Sequence, residues 1–266
     1  MYQERTYRKA MGLARFASIT FAVGESDLWI GYTPSSVDGK ALVAEGARLL
    51  RRLRNEILSY PDPAFLSSLV PLKQRKDADM GTEKDTIHTG ERALDPDSPF
   101  IAGMLNASRL SGTGPMASVA GAIAQEIGSR LKKKFSLEEI VVENGGDLYI
   151  DVLKPLLFTF FAGDNSLSGK VSIVVEPKHC PVGVCTSSAK IGHSHSFGRA
   201  DAVMVACSDA ALADAYATAF CNKVLQESDV EKVTKEMNDK EEILSALVLL
   251  DTKLALCGQL EVRSQA

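Results

Sequence analysis

The stretch I-V-V-E-N-G-G-D-L-Y-I, Ile140 to Ile150, decides the fold. It reads as strand on both sides of Gly145-Gly146, and two more strand-like runs, Leu156–Ala162 and Lys170–Val175, follow, joined through G-D-N-S-L-S-G. Strands that succeed one another without an intervening helix pair antiparallel, whereas parallel strands need long crossovers. The glycine pair weakens a strand interior. It calls for a tight turn flanked by Asn144 and Asp147, or for close approach of the backbone to a ligand.

Outward from this segment the pattern repeats. Arg15–Val23 and Leu28–Tyr32 alternate around a G-E-S-D turn, which gives a hairpin. Asp38–Leu58 carries apolar residues at helical spacing, and Pro61 and Pro63 end it. Ser98-Pro99 supplies cap and first turn for a helix running toward Leu110. Gly112–Pro115 opens a long helix, Met116–Lys134, whose first turns are almost all small residues. Ala202–Cys207 reads as a buried strand, with Ser208 capping a helix Asp209–Val224. A charged helix follows near Val230–Met237, and Ala246–Leu250 with Leu254–Val262 form a terminal hairpin. The class is α+β, mainly antiparallel sheets with packed helices, as one domain over 1–266 made of two intimate subdomains. Lys73–Asp97, with 12 charges in 25 residues, is expected to be a charged, flexible loop inside it.

Composition narrows the function. The 266 residues carry 30 Lys+Arg against 34 Asp+Glu, a net charge of −4 with no basic excess of the kind nucleic acid requires. Five cysteines, odd in number and without C-x-x-C spacing, point to free thiols in a reducing compartment. No apolar run approaches a membrane span, and the polar N-terminal stretch lacks the features of a signal peptide. The expectation is a cytoplasmic protein that engages neither membrane nor nucleic acid; its oligomeric state is open.

Chemistry concentrates in G-V-C-T-S-S-A-K-I-G-H-S-H-S-F-G-R-A-D, Gly183–Asp201, read as a loop leading into strand and helix. In such a loop the donors of Thr186, Ser187 and Ser188 would lower the pKa of Cys185, although a buried, inert cysteine is the commoner outcome. His193 and His195, two residues apart, are acid–base or ligand candidates. Asp214 and Thr218 lie one turn apart on an Ala-rich helix, so a carboxylate and a hydroxyl are offered to a hard cation such as Mg2+. S-G-T-G-P before a helix start is an anion-binding candidate.

The stretches G-P-M-A-S-V-A-G-A-I-A, V-E-N-G-G-D-L-Y-I, S-L-S-G-K and G-V-C-T-S-S…G-H-S-H-S-F-G-R-A-D…A-A-L-A-D-A-Y-A-T-A resemble a little-characterised cytoplasmic family related to ApbE. ApbE proteins are Mg2+-dependent FAD:protein FMN transferases. The resemblance implies an ApbE-like fold with a nucleotide ligand, FAD, and a protein acceptor hydroxyl. It implies metal ligands at Asp214, Thr218 and the Ala117 carbonyl. A nucleotide pocket would be lined by Gly114, Met116, Ser118, Asn144, Gly145, Gly146, Asp147, Thr186, Ser187 and Ser188, with His193 handling a proton.

The chain departs from the ApbE pattern in places. A-S-V replaces A-K-G, putting Ser118 in the Lys position. A shorter G-H-S-H-S-F-G replaces the segment with the ApbE histidine, and no lipoprotein signal is seen. Ala189 and His195 stand where the nearer family more often has Gly and an aliphatic residue. That family's link with anaerobic sulfur and homocysteine assimilation supports a second reading, sulfur handling on Cys185. A flavin-binding module without transfer activity is a third.

Overall fold

A computed structural model describes residues 15–70, 72, 98–190 and 197–264. The charged segment 73–97, His193 and His195 therefore lie outside the described residues. Within them the chain forms eleven strands and six α-helices: β1 Ala17–Val23, β2 Ser26–Thr33, α1 Gly39–Leu58, α2 Ala64–Ser67, α3 Pro99–Ser111, α4 Val119–Phe135, β3 Glu139–Asn144, β4 Asp147–Asp151, β5 Leu156–Thr159, β6 Val171–Val175, β7 Val182–Ser187, β8 Ala202–Cys207, α5 Ala210–Lys223, α6 Glu227–Asn238, β9 Ile243–Leu250, β10 Lys253–Gly258 and β11 Glu261–Ser264.

Eight strands make one sheet in the order β1-β2-β3-β4-β7-β8-β9-β10, and β11-β6-β5 make a second. Every pairing is antiparallel. Because successive strand residues face opposite sides, Ile140 and Val142 enter the core under the helices, while Val141 enters a second core beneath the small sheet. In β8, Val203 and Val205 face the helices and Ala202, Met204 and Ala206 the small sheet. Both faces of the large sheet are covered, which is why its central strands are almost continuously apolar.

Helix α1 buries Leu42, Leu49, Leu50, Leu53 and Ile57 on one stripe, each removal from water worth roughly 1.5–3 kcal/mol, and is capped by Asp38. Ser98 caps α3, and Gly112 ends it with φ 77°.

Four expectations need correction. Val182–Ser187 is a strand, not a loop: paired with β4 and β8, all its residues but Thr186 are buried. The second long helix begins at Val119 after a 3-10 turn at Pro115–Ser118. Helix α5 is capped by Asp209 rather than Ser208, its carboxylate accepting from the Ala211 and Leu212 amides. The terminal hairpin stops at Gly258, whose φ of 104° turns the chain so that β11 crosses to the small sheet.

Candidate functional site

Helix α5 positions the site. It is buried along almost its whole length, and its small residues let neighbours approach closely. A Cβ on Gly183 of β7 would lie 2.2 Å from the Ala210 Cα, and one on Gly121 of α4 would lie 2.1 Å from the Ala210 carbonyl oxygen. The Ala210 amide donates to Gln125 Oε1 at 2.7 Å. Helix α5 is thus clamped between α4 and β7, with Asp214 and Thr218 one and two turns beyond the clamp.

Four segments remote in sequence meet there. Asp214 Oδ2 accepts from the amides of Ala120 (3.1 Å) and Gly121 (2.9 Å) in the first turn of α4. Asn144 Nδ2 donates to the Ala120 carbonyl at 3.2 Å. The Ser187 and Thr218 hydroxyls lie 3.0 Å apart. The Thr186 amide donates to Asp147 Oδ1 at 3.3 Å.

The electrostatics are those of carboxylates taken out of water. Burial pushes Asp214 up to about 7, opposed by its two backbone hydrogen bonds. Asp147 is pushed well above the carboxylate range, first by burial and then by the Asp214 charge. Among the described residues neither pairs with Lys or Arg.

Gly145 and Gly146 form the two-residue turn between β3 and β4, with φ of 73° and 102°. A Cβ on Gly146 would meet only the Thr186 carbonyl oxygen, at 3.8 Å. The turn is required by the backbone, and it places Asn144 and Asp147 as ladder partners at the site.

Several expected residues fall elsewhere. Cys185 is on β7, fully buried, its Sγ 3.4 Å from the Ala210 carbonyl oxygen. Burial and the nearby Asp147 and Asp214 charges raise its pKa well above that of an ordinary thiol, the opposite of activation. Ser118 is completely buried and donates to the Pro115 carbonyl at 2.7 Å. Gly114 is pressed against α2: a Cβ there would sit 1.7 Å from the Ser68 carbonyl oxygen. Met116 packs partly buried against the main core. The anion held by the first turn of α4 is the protein's own Asp214 carboxylate.

Glu143 was missed. It is buried at the end of β3, and its Oε1 accepts from the Gly146 amide at 2.8 Å, fastening the turn. Its signal was an acid in the apolar run I-V-V-E.

Two surface depressions, of about 560 Å³ between β1, β2 and α1 and of about 420 Å³ between α6 and β10, involve none of these residues. Among the described residues no three His, Cys, Asp or Glu side chains gather as a metal centre, so a cation here needs hydroxyl and carbonyl oxygens as well. Of the ligands the resemblance implies, Asp214 lies at the Ala120 and Gly121 amides and Thr218 at the Ser187 hydroxyl. Among the described residues no helix is long and apolar enough to cross a membrane.

A large antiparallel sheet carrying a small-residue helix pair on one face and a second sheet on the other defines an ApbE-type α+β protein. The flavinyl transferase ApbE of Pseudomonas stutzeri in its apo form shares the fold, with a TM-score of 0.55 at 13% identity over 91% of this chain and 94% of that one. The ApbE protein of Thermotoga maritima gives 0.54 at 13%, over 94% and 97%. Sequence relatives include a UPF0280 protein of Methanospirillum hungatei, 39% identical over 70% of this chain and 68% of its own length. Another, from Methanocaldococcus jannaschii, is 31% identical over 84% and 85%. The family model described as AbpE bacteria matches residues 9–253, and the chain belongs to that ApbE-related family.

Proposed function

We propose that the corner formed by β4, β7 and the facing ends of α4 and α5 holds a flavin nucleotide, FAD, together with Mg2+. The observation that carries this reading is the meeting of Asn144–Asp147, Ala120–Gly121, Thr186–Ser187 and Asp214–Thr218 around two buried carboxylates that lack a cationic partner. Flavin transferases among the solved structures of this fold support the same ligand class.

The residues take distinct parts. Asp214, Thr218 and the Ala117 carbonyl hold the metal, which when bound neutralises pyrophosphate charge. Thr186 and Ser188, both partly exposed, offer donors to phosphate or flavin oxygens. The Gly145-Gly146 turn keeps side chains off the rim. FMN transfer to a protein hydroxyl is the reaction for such a complex: an acceptor oxygen bonds the FMN phosphorus, AMP leaves, and the hydroxyl proton is taken by a base, His193 by the sequence reading.

The test is a titration of purified protein with FAD, with Mg2+ and with EDTA, read by flavin fluorescence, followed by mass analysis of a Ser/Thr-containing acceptor. Mg2+-dependent binding with an acceptor mass gain of one FMN is the expected result. Binding without transfer makes the protein a flavin-binding module, and no binding removes the reading.

A further inference from the structure

The metal corner as described contains one carboxylate, Asp214, and the geometry supplies a second. Asp147 begins β4 directly after the glycine turn and is only 7% exposed. Its Oδ1 accepts from the Thr186 amide at 3.3 Å, and the adjacent Ser187 hydroxyl lies 3.0 Å from that of Thr218 on α5. Its ladder partner Asn144 donates to the carbonyl of Ala120, the residue whose amide donates to Asp214. Asp147 and Asp214 therefore border one small region enclosed by β4, β7, α4 and α5.

We propose that Asp147 is a second acidic group of the metal corner, so that a divalent cation binds the free protein before any nucleotide arrives. This rests on reading α5 as the metal helix. A site of one carboxylate, one hydroxyl and one carbonyl carries a single negative charge and depends on phosphate oxygens to complete it. Two carboxylates carry two charges and match a divalent ion unaided. Two buried acids without a cationic side chain are costly to ionise together, and a cation between them removes that cost. The competing structural role is a turn residue that merely accepts from the Thr186 amide, which an Asn side chain fills equally well.

The experiment is titration of nucleotide-free protein with Mn2+, read by electron paramagnetic resonance, on wild type, Asp147→Asn and Asp214→Asn. One Mn2+ per wild-type chain, with at least tenfold weaker binding in each variant, is expected. Wild-type affinity in Asp147→Asn with loss in Asp214→Asn overturns the inference and leaves the metal helix standing. Unchanged affinity in both overturns the metal helix too. Should Asp147→Asn fail to fold, wild type decides alone: Mn2+ bound only in the presence of FAD refutes the inference, Mn2+ bound without FAD sustains it, and no Mn2+ in either condition refutes both readings.

Discussion

Asp214 Oδ2 stands 2.9 Å from the amide nitrogen of Gly121, so a side chain of α5 caps the first turn of α4 from 93 residues away. The arrangement needs the two helices almost in contact. A Cβ on Gly121 would lie 2.9 Å from the Asp214 Cβ, besides its clash with the Ala210 carbonyl. Since neither obstacle is the far end of a flexible side chain, Gly121→Ala must push the helices apart. Overpacking of this kind costs about 1–3 kcal/mol. Denaturant unfolding should show a loss in that range, together with weaker Mg2+ binding. A variant as stable as wild type would mean that the helices are not held so closely.

Asp214→Asn separates the two parts the residue plays. An amide oxygen still accepts from the Ala120 and Gly121 amides, so α4 keeps its cap, but it is a poor ligand for a hard cation. The fold, followed by circular dichroism, should persist while the Mg2+ dependence of FAD binding disappears. Retained Mg2+ dependence would take the metal away from this helix.

The thiols give a test that needs no ligand. Cys185, Cys207 and Cys221 are buried, whereas Cys180 and Cys257 are partly exposed. A disulfide reagent such as DTNB should react with two thiols in the native protein at neutral pH and with five in denaturant. Fast native labelling of Cys185, identified by peptide mapping, would revive the sulfur-carrier reading.

The fold was legible where one period dominated. Alternation exposed β1 and β2, helical spacing exposed α1, and Ser98-Pro99 marked the start of α3. Strand β7 was obscured because its hydroxyl residues resemble a loop until β4 and β8 pair with it from both sides. The site was half legible. Asp214 and Thr218 stand out as a polar pair in an alanine helix, but the Ala120 and Gly121 amides belong to the backbone and leave no letter in the sequence. Cys185 faces the core, the commoner outcome for a cysteine, rather than the donor-lined loop that its hydroxyl neighbours also suggested.

The glycine turn carries a cost that can be measured apart from ligand binding. Gly146 has φ 102°, where an L side chain is strained, yet the space beside it is open. Gly146→Ala should lose about 1–2 kcal/mol through the backbone alone. FAD affinity measured well below the melting temperature tells whether a ligand also passes there: a drop beyond what the unfolded fraction explains places the ligand against the turn. Unchanged affinity restricts Gly146 to the hairpin.

The buried acids make the stability of the metal-free protein fall as pH rises. Burial raises Asp214 in the folded protein to about 7 from an ordinary 3.8, and it raises Asp147 in the same direction. Between those two values the folded form holds a proton that the unfolded chain has released. By linkage the stabilising contribution is complete below about 4 and declines as pH climbs toward about 7. The sign is opposite to that of Glu45, which its hydrogen bond to Arg48 lowers to about 2 and whose contribution is lost only in acid. Melting curves in EDTA from pH 5 to pH 8 should therefore show wild type losing stability relative to Asp214→Asn, with most of the change below pH 7. If Mg2+ binds there as proposed, it takes the place of the bound protons, and adding it should flatten that difference. If wild type gains stability on Asp214→Asn over this interval in EDTA, the two acids are not buried together as described.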